Sequence, residues 1–205
     1  MFGIINYWMF LTSSVLLNIT PGTDIIYVIS RATVGGRKVG IVSAFGICTG
    51  ILIHTVLASL GLSLILKSSA VAFNIMRGLG TAYLVYMGIK ALVKEDSILT
   101  ANETKDEKLS AVFRQGVLTN ALNPKVALFF LALLPQFVAT NNPYGPVPFL
   151  LLGLTFFTTS IIWCIFLAYV ASFASRLLNK SEKVSKIANK VTGIIYIILG
   201  FNILR

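Results

Sequence analysis

Three ionisable side chains stand in stretches that are otherwise nearly free of charge. Asp24 lies in an apolar run from Ile4 to Ile29, His54 lies midway along 39–66, and Lys125 lies within 112–139. The chain of 205 residues is 56% hydrophobic and only 12% charged, where globular domains carry about 25% charge. This composition describes a polytopic membrane protein. A charge at the centre of a bilayer costs about 2.5–3.5 kcal/mol on insertion scales, so such residues are paired, protonated or functional. A carboxylate at that depth can carry a proton or face a substrate ammonium, and a histidine can relay protons. The structural alternatives are a static pair of Asp24 with Lys125 or Arg77, and a helix–helix hydrogen bond at His54. The two cysteines, Cys48 and Cys164, form no CxxC and no metal spacing. Neither a disulfide framework nor a metal site is therefore expected, and no cofactor is called for.

Next to these charges stand helix breakers. The first run contains Asn18-Ile19-Thr20-Pro21-Gly22, and the fourth contains Asn120, Asn123, Pro124 and Lys125. Each proline removes a backbone donor and strands the carbonyl four residues earlier, Leu17 for Pro21 and Asn120 for Pro124. Proline also suits the first position of a new helix behind a polar cap, and Thr20-Pro21 and Asn123-Pro124 both fit that signal. Each run therefore reads as two half-helices, the second starting at the proline. Pro21 lies ten residues from Arg31, and Pro124 ten from Arg114. At 1.5 Å per residue, both breaks fall about 15 Å from the membrane surface, near the midplane. Half-helix N-termini there suit a carboxylate, and stranded carbonyls suit an ammonium. A zwitterionic amino acid carries both groups.

The elements that must position these residues are six predicted spans: 4–29, 39–66, 71–93, 112–139, 147–175 and 191–204. Helices are expected, because lipid offers the backbone no hydrogen-bond partners. Thirteen of the seventeen lysines and arginines fall in or beside the loops 30–38, 94–111 and 176–190. The positive-inside rule makes those loops cytoplasmic and both termini extracytoplasmic. The fold class is thus an all-α polytopic membrane protein of six transmembrane helices, forming two inverted three-helix repeats, with helices 1 and 4 broken at proline. The repeats cover about 1–93 and 112–205, joined by a cytoplasmic loop at about 94–111, in a single domain over 1–205. Paired breakers at corresponding positions of two halves point to a transporter binding site. Gly46 and Gly50 have GxxxG spacing, which favours close helix contacts. The net charge of +10 follows from basic cytoplasmic loops near anionic lipid, and nucleic-acid binding is not expected, as no folded domain carries a basic face.

Several of these stretches resemble the LysE/RhtB family of bacterial amino-acid exporters. They are "TPGTD", "GRKVGIVSAFGICTGILIHTVLASLGL", "GTAYLVYMGIKAL" and above all "FRQGVLTNALNPKVALFFLALLPQFV" from Phe113 to Val138. The family usually has Pro-Gly-Pro where this chain has Pro21-Gly22-Thr23, which makes the first break less stiff. The resemblance implies a LysE-type translocator in the bacterial cytoplasmic membrane, not an enzyme, that exports amino acids or close analogues against protons. The expected substrate-binding residues are Asn18, Thr20, Pro21, Gly22, Asn120, Asn123, Pro124 and Lys125, with proton coupling at Asp24 and His54. Asp24 is the only acidic residue within a span, which favours a neutral substrate. The expected partners are an amino acid, protons and the lipid bilayer, and a homo-oligomer is compatible with this reading. Distant relatives supply two alternatives, a metal-ion exporter and a thiol- or electron-shuttling membrane protein. One histidine and two dispersed cysteines make a poor soft-metal site, and a thiol shuttle needs a pair that a partner can reach.

Overall fold

Serine and threonine recur through the apolar runs without breaking them, because their hydroxyls bond back to the carbonyl one turn earlier. Ser14 donates to Phe10 O (2.8 Å), Thr55 to Ile51 O (2.9 Å) and Thr158 to Leu154 O (2.8 Å). Each bond hides a hydroxyl that hydrocarbon could not satisfy. The structure, a computed structural model, describes residues 2–68 and 108–174, with side chains of 62–68 and 174 excepted. The predicted third and sixth spans, the basic segment 176–190 and all but the end of loop 94–111 lie outside the described residues.

Among the described residues five α-helical segments follow in chain order: α1 (Tyr7–Ile19), α2 (Thr23–Ser68), α3 (Leu109–Ala121), α4 (Pro124–Leu128) and α5 (Val147–Ala174). After α4 the chain passes through a π-helical turn, Phe129–Leu133, and a 3₁₀ turn, Leu134–Phe137. Pro135 in that stretch has no N–H to give, and the helix leaves α geometry around it. Among the described residues the only pairing of extended backbone is an isolated antiparallel bridge between Ile4 and Val138. It ties the N-terminus to the end of the 3₁₀ turn. By length and composition α2 and α5 can each cross a membrane, as can α3 together with Pro124–Phe137, bent by 45°. This matches an all-helical membrane protein.

The predicted loop 30–38 is not a loop. Helix continues on both sides of Gly36, which alone leaves helical geometry at φ 77°, ψ −175°, a conformation that glycine adopts without strain. A Cβ on Gly40 would sit 2.6 Å from the Ala32 Cβ. A continuous helix would hold those residues about 12 Å apart, so the chain folds back on itself at Gly36. Arg31, expected in a loop, is instead helical and buried.

The core forms where α2 packs on α3 and α5. On α5, Phe149, Leu152, Phe156, Ser160, Cys164 and Ala168 are buried. Their spacing of three and four residues defines one helical face. Leu154, Ile162, Phe166 and Phe173 are exposed and form the face suited to lipid. Gly46 lets α2 and α3 touch, its Cα lying 3.1 Å from the position of a Cβ on Gly116. The GxxxG stretch is thus a helix contact, and its partner is α3.

Candidate functional site

Pro21 bars the α conformation from the residue before it. Thr20 accordingly takes φ −63°, ψ 119° and ends α1. The next helix begins at Thr23, its first bond running from Ile26 N–H to Gly22 O (3.0 Å). The expected restart at Pro21 is therefore corrected: Thr20, Pro21 and Gly22 form an open link. Thr23 occupies the first helical position, where the family's second proline would also fit. The second break follows the expectation. α4 starts at Pro124, and the Asn123 side chain caps it by accepting from Lys125 N–H (3.0 Å).

The two breaks meet. Asp24, in the first turn of α2, accepts from Asn120 Nδ2 (3.0 Å) and Asn123 Nδ2 (2.8 Å). Lys125 Nζ crosses the other way and donates to Thr20 O (2.8 Å). Thus each break satisfies the charge of the other, and Asp24 and Lys125 are bonded to neutral groups rather than to one another. A carboxylate can accept about four hydrogen bonds and an ammonium donate three, so both keep capacity for a ligand. Gly22 gives this crossing room, since a Cβ there would come 3.2 Å from Lys125 Nζ, closer than side chains usually pack. Gly50 makes room for Asn120, whose Cβ would lie 2.6 Å from a Cβ at position 50. The start of α2 already carries an anion, Asp24, at the positive end of the helix.

The Asn120 carbonyl, stranded by Pro124, accepts from Asn123 N–H (2.9 Å) and meets His54 Nε2 at 3.1 Å. A carbonyl only accepts, so Nε2 carries the proton in this arrangement. The ring also stacks on Phe130 with centroids 5.8 Å apart. His54 therefore reaches Asp24 through Asn120 rather than directly. On the far side of the breaks Asn18 joins α1 to α5, donating to Thr159 Oγ1 (3.0 Å) and accepting from Ser160 Oγ (2.7 Å).

Asp24 and Lys125 border a cavity of about 20 Å³, walled on its apolar side by Ile25, Ile47, Ile51, Val126 and Phe156. That space holds about one water and no amino acid. Contacts among the described residues flank it in two directions. Toward α1, Phe129 stacks on Phe156 with centroids 4.5 Å apart, and Phe10 packs on Phe129 at 5.8 Å. Toward the Gly36 turn, Tyr27 OH donates to Val112 O (2.6 Å) and Arg31 Nη2 to Gln115 Oε1.

All ten residues singled out in the sequence thus lie at or against one centre, with Pro21 and Pro124 acting through the backbone. The sequence reading missed the α5 wall, Phe156, Ser160 and Trp163. Ser160 carried a signal, a polar residue one turn from Phe156 and one from Cys164. Cys48 and Cys164 are free and buried.

A family model described as LysE type translocator matches residues 15–205. A leucine efflux protein of Salmonella typhimurium is 28% identical over 199 residues, covering 96% of this chain and 93% of that protein. One from Klebsiella pneumoniae is 29% identical over 200 residues, with the same coverage. The uncharacterized membrane protein YrhP of Bacillus subtilis is 31% identical over 197 residues, covering 92% of each chain. No solved structure matches.

Proposed function

The chain belongs to the LysE-type translocator family, and from that premise we propose that it is a proton-coupled secondary exporter whose cargo is a neutral aliphatic amino acid of the leucine type. Membership makes it an integral membrane transporter and not an enzyme, and its relatives' names support amino-acid efflux as its work. One observation carries the choice of cargo. Among the described residues a single carboxylate and a single ammonium face a cavity whose remaining wall is largely aliphatic and aromatic. The charges complement the two ends of a zwitterion, and the wall complements an uncharged side chain. A cationic side chain would need a second acidic group there.

Export proceeds by alternate opening of the Tyr27–Arg31 side and the Phe10–Phe129 side around the broken helices. Six spans in two inverted repeats, with both termini extracytoplasmic, supply the symmetry for such a motion. Asp24 carries the proton in exchange for the substrate ammonium, and His54, through Asn120, senses its state.

The test loads expressing cells with dipeptides of leucine, threonine and lysine and measures release of the free amino acids. Leucine should leave several-fold faster than from cells without the protein, and lysine at the background rate. Accelerated lysine release without leucine release would overturn the cargo, and background rates for every amino acid would overturn the exporter.

A further inference from the structure

The indole N–H of Trp163 is buried and finds no acceptor among the described residues. Such a group costs about 1–3 kcal/mol, and natural structures rarely keep one without a use. Its surroundings narrow the use. One side of Trp163 borders the central cavity together with Asp24, Lys125, Asn18 and Ser160. Trp163 also borders a surface groove of about 430 Å³ formed with Val15, Asn18, Ile19, Thr159, Ile162 and Phe166. The two polar side chains of that groove, Asn18 and Thr159, are bonded to one another (3.0 Å), and the rest of its lining is apolar. Phe166 stacks on the indole with centroids 5.4 Å apart and holds its orientation. Among the described residues the charged groups that could hold an acceptor in place lie on the cavity. Asn18 and Ser160 are already bonded to one another and to α5. Asp24 accepts from two carboxamides, and its remaining capacity faces the substrate ammonium in the reading above.

We propose that Trp163 is a substrate-binding residue, its indole N–H donating to the carboxylate of the amino acid that Lys125 also faces. This rests on the reading above and adds a third point of attachment to it. Asp24 takes the ammonium, Lys125 and Trp163 take the carboxylate, and the side chain lies along Ile47, Ile51 and Phe156. An indole N–H is a donor only, so it discriminates for an acceptor at that end and against a ligand with a donor there.

The experiment uses the full chain in lipid nanodiscs, with leucine and isopentylamine as probes. The amine keeps the ammonium and the side chain but has no carboxylate, and so no acceptor for the indole. Trp163→Phe keeps an aromatic ring, smaller than indole, and removes the N–H. It should weaken leucine binding about tenfold, equivalent to roughly 1.4 kcal/mol, and leave binding of the amine unchanged. Equal loss for both ligands would reduce Trp163 to packing, and no loss for leucine would remove it from the site; either overturns the proposal. A second measurement survives a failure of that variant to fold. The chain has two tryptophans, so Trp8→Phe, at an exposed position of α1, leaves Trp163 as the sole indole. Leucine should then shift its emission saturably, at the concentrations that saturate binding, and an unmoved spectrum at saturation would overturn the proposal. Absence of leucine binding to the parent protein is a separate result, which sinks the exporter reading itself.

Discussion

Asp24 accepts hydrogen bonds from two carboxamides, and an asparagine in its place must turn its own N–H₂ toward one of them. Asp24→Asn therefore costs one hydrogen bond and sets two donors face to face, a loss of about 1–3 kcal/mol. Insertion should be normal, and exchange of leucine across the membrane should persist at a reduced level. Uphill export driven by an imposed pH gradient should disappear, because nothing is left to titrate at that position. The double variant Asp24→Asn with Lys125→Met separates coupling from simple charge balance. Lys125 bonds Thr20 O rather than Asp24, so removing it does not restore what the carboxylate did. Gradient-driven transport should remain absent from reconstituted vesicles holding the double variant. Transport at the parent's rate would show that Asp24 is only half of a static charge pair. At this scale the sequence was a good guide, since Asp24, Lys125 and the two asparagines announce themselves by being polar in apolar runs. Trp163 did not, because an indole is as much at home in lipid as in a site.

The two breaks are the elements that bring those residues together, and they differ in kind. Asn123-Pro124 is a sharp stop and start, with a cap and a bend of 45°. Thr20-Pro21-Gly22 is an open link whose carbonyl turns to Lys125. Alanine at Pro124 restores an N–H that can bond Asn120 O, competing with Asn123 and His54 for that acceptor. Pro21→Ala likewise frees Thr20 to continue α1. Both variants should keep or raise their melting temperature while leucine export falls at least several-fold. Full export from both would show that the breaks are not the site. The position of the second break was legible because cap and proline are adjacent. The first was misplaced by two residues: Thr20 is as extended as Asn123, but its hydroxyl turns back to Leu16 O (2.7 Å) and closes α1, where Asn123 turns forward and caps α4. The turn at Gly36 was concealed for another reason. A single positive-φ glycine between helices leaves no run of polar loop residues to read.

At the scale of the whole molecule the bias of lysine and arginine sets the expectation for topology. A reporter active only in the cytoplasm, fused after Arg205, should be silent. Strong signal there would require an odd number of spans, and the inverted-repeat arrangement would fall with it. The helical membrane class and the family were readable from the chain alone. Hydropathy is a property of composition, and the motif from Phe113 to Val138 is long enough to be specific. The locations of the breaks were also largely readable, since proline acts on its own neighbours. Only the tertiary structure decided which charge meets which partner. The crossing of Asp24 to Asn120 and Asn123, and of Lys125 to Thr20, joins residues about a hundred positions apart, and no local pattern encodes that pairing. The same holds for the face of α5. In a soluble helix polar residues mark the outside, but here both faces are apolar, one against lipid and one against protein. The buried stripe from Phe149 to Ala168, and with it the wall of the site, emerges only when α2 packs against it.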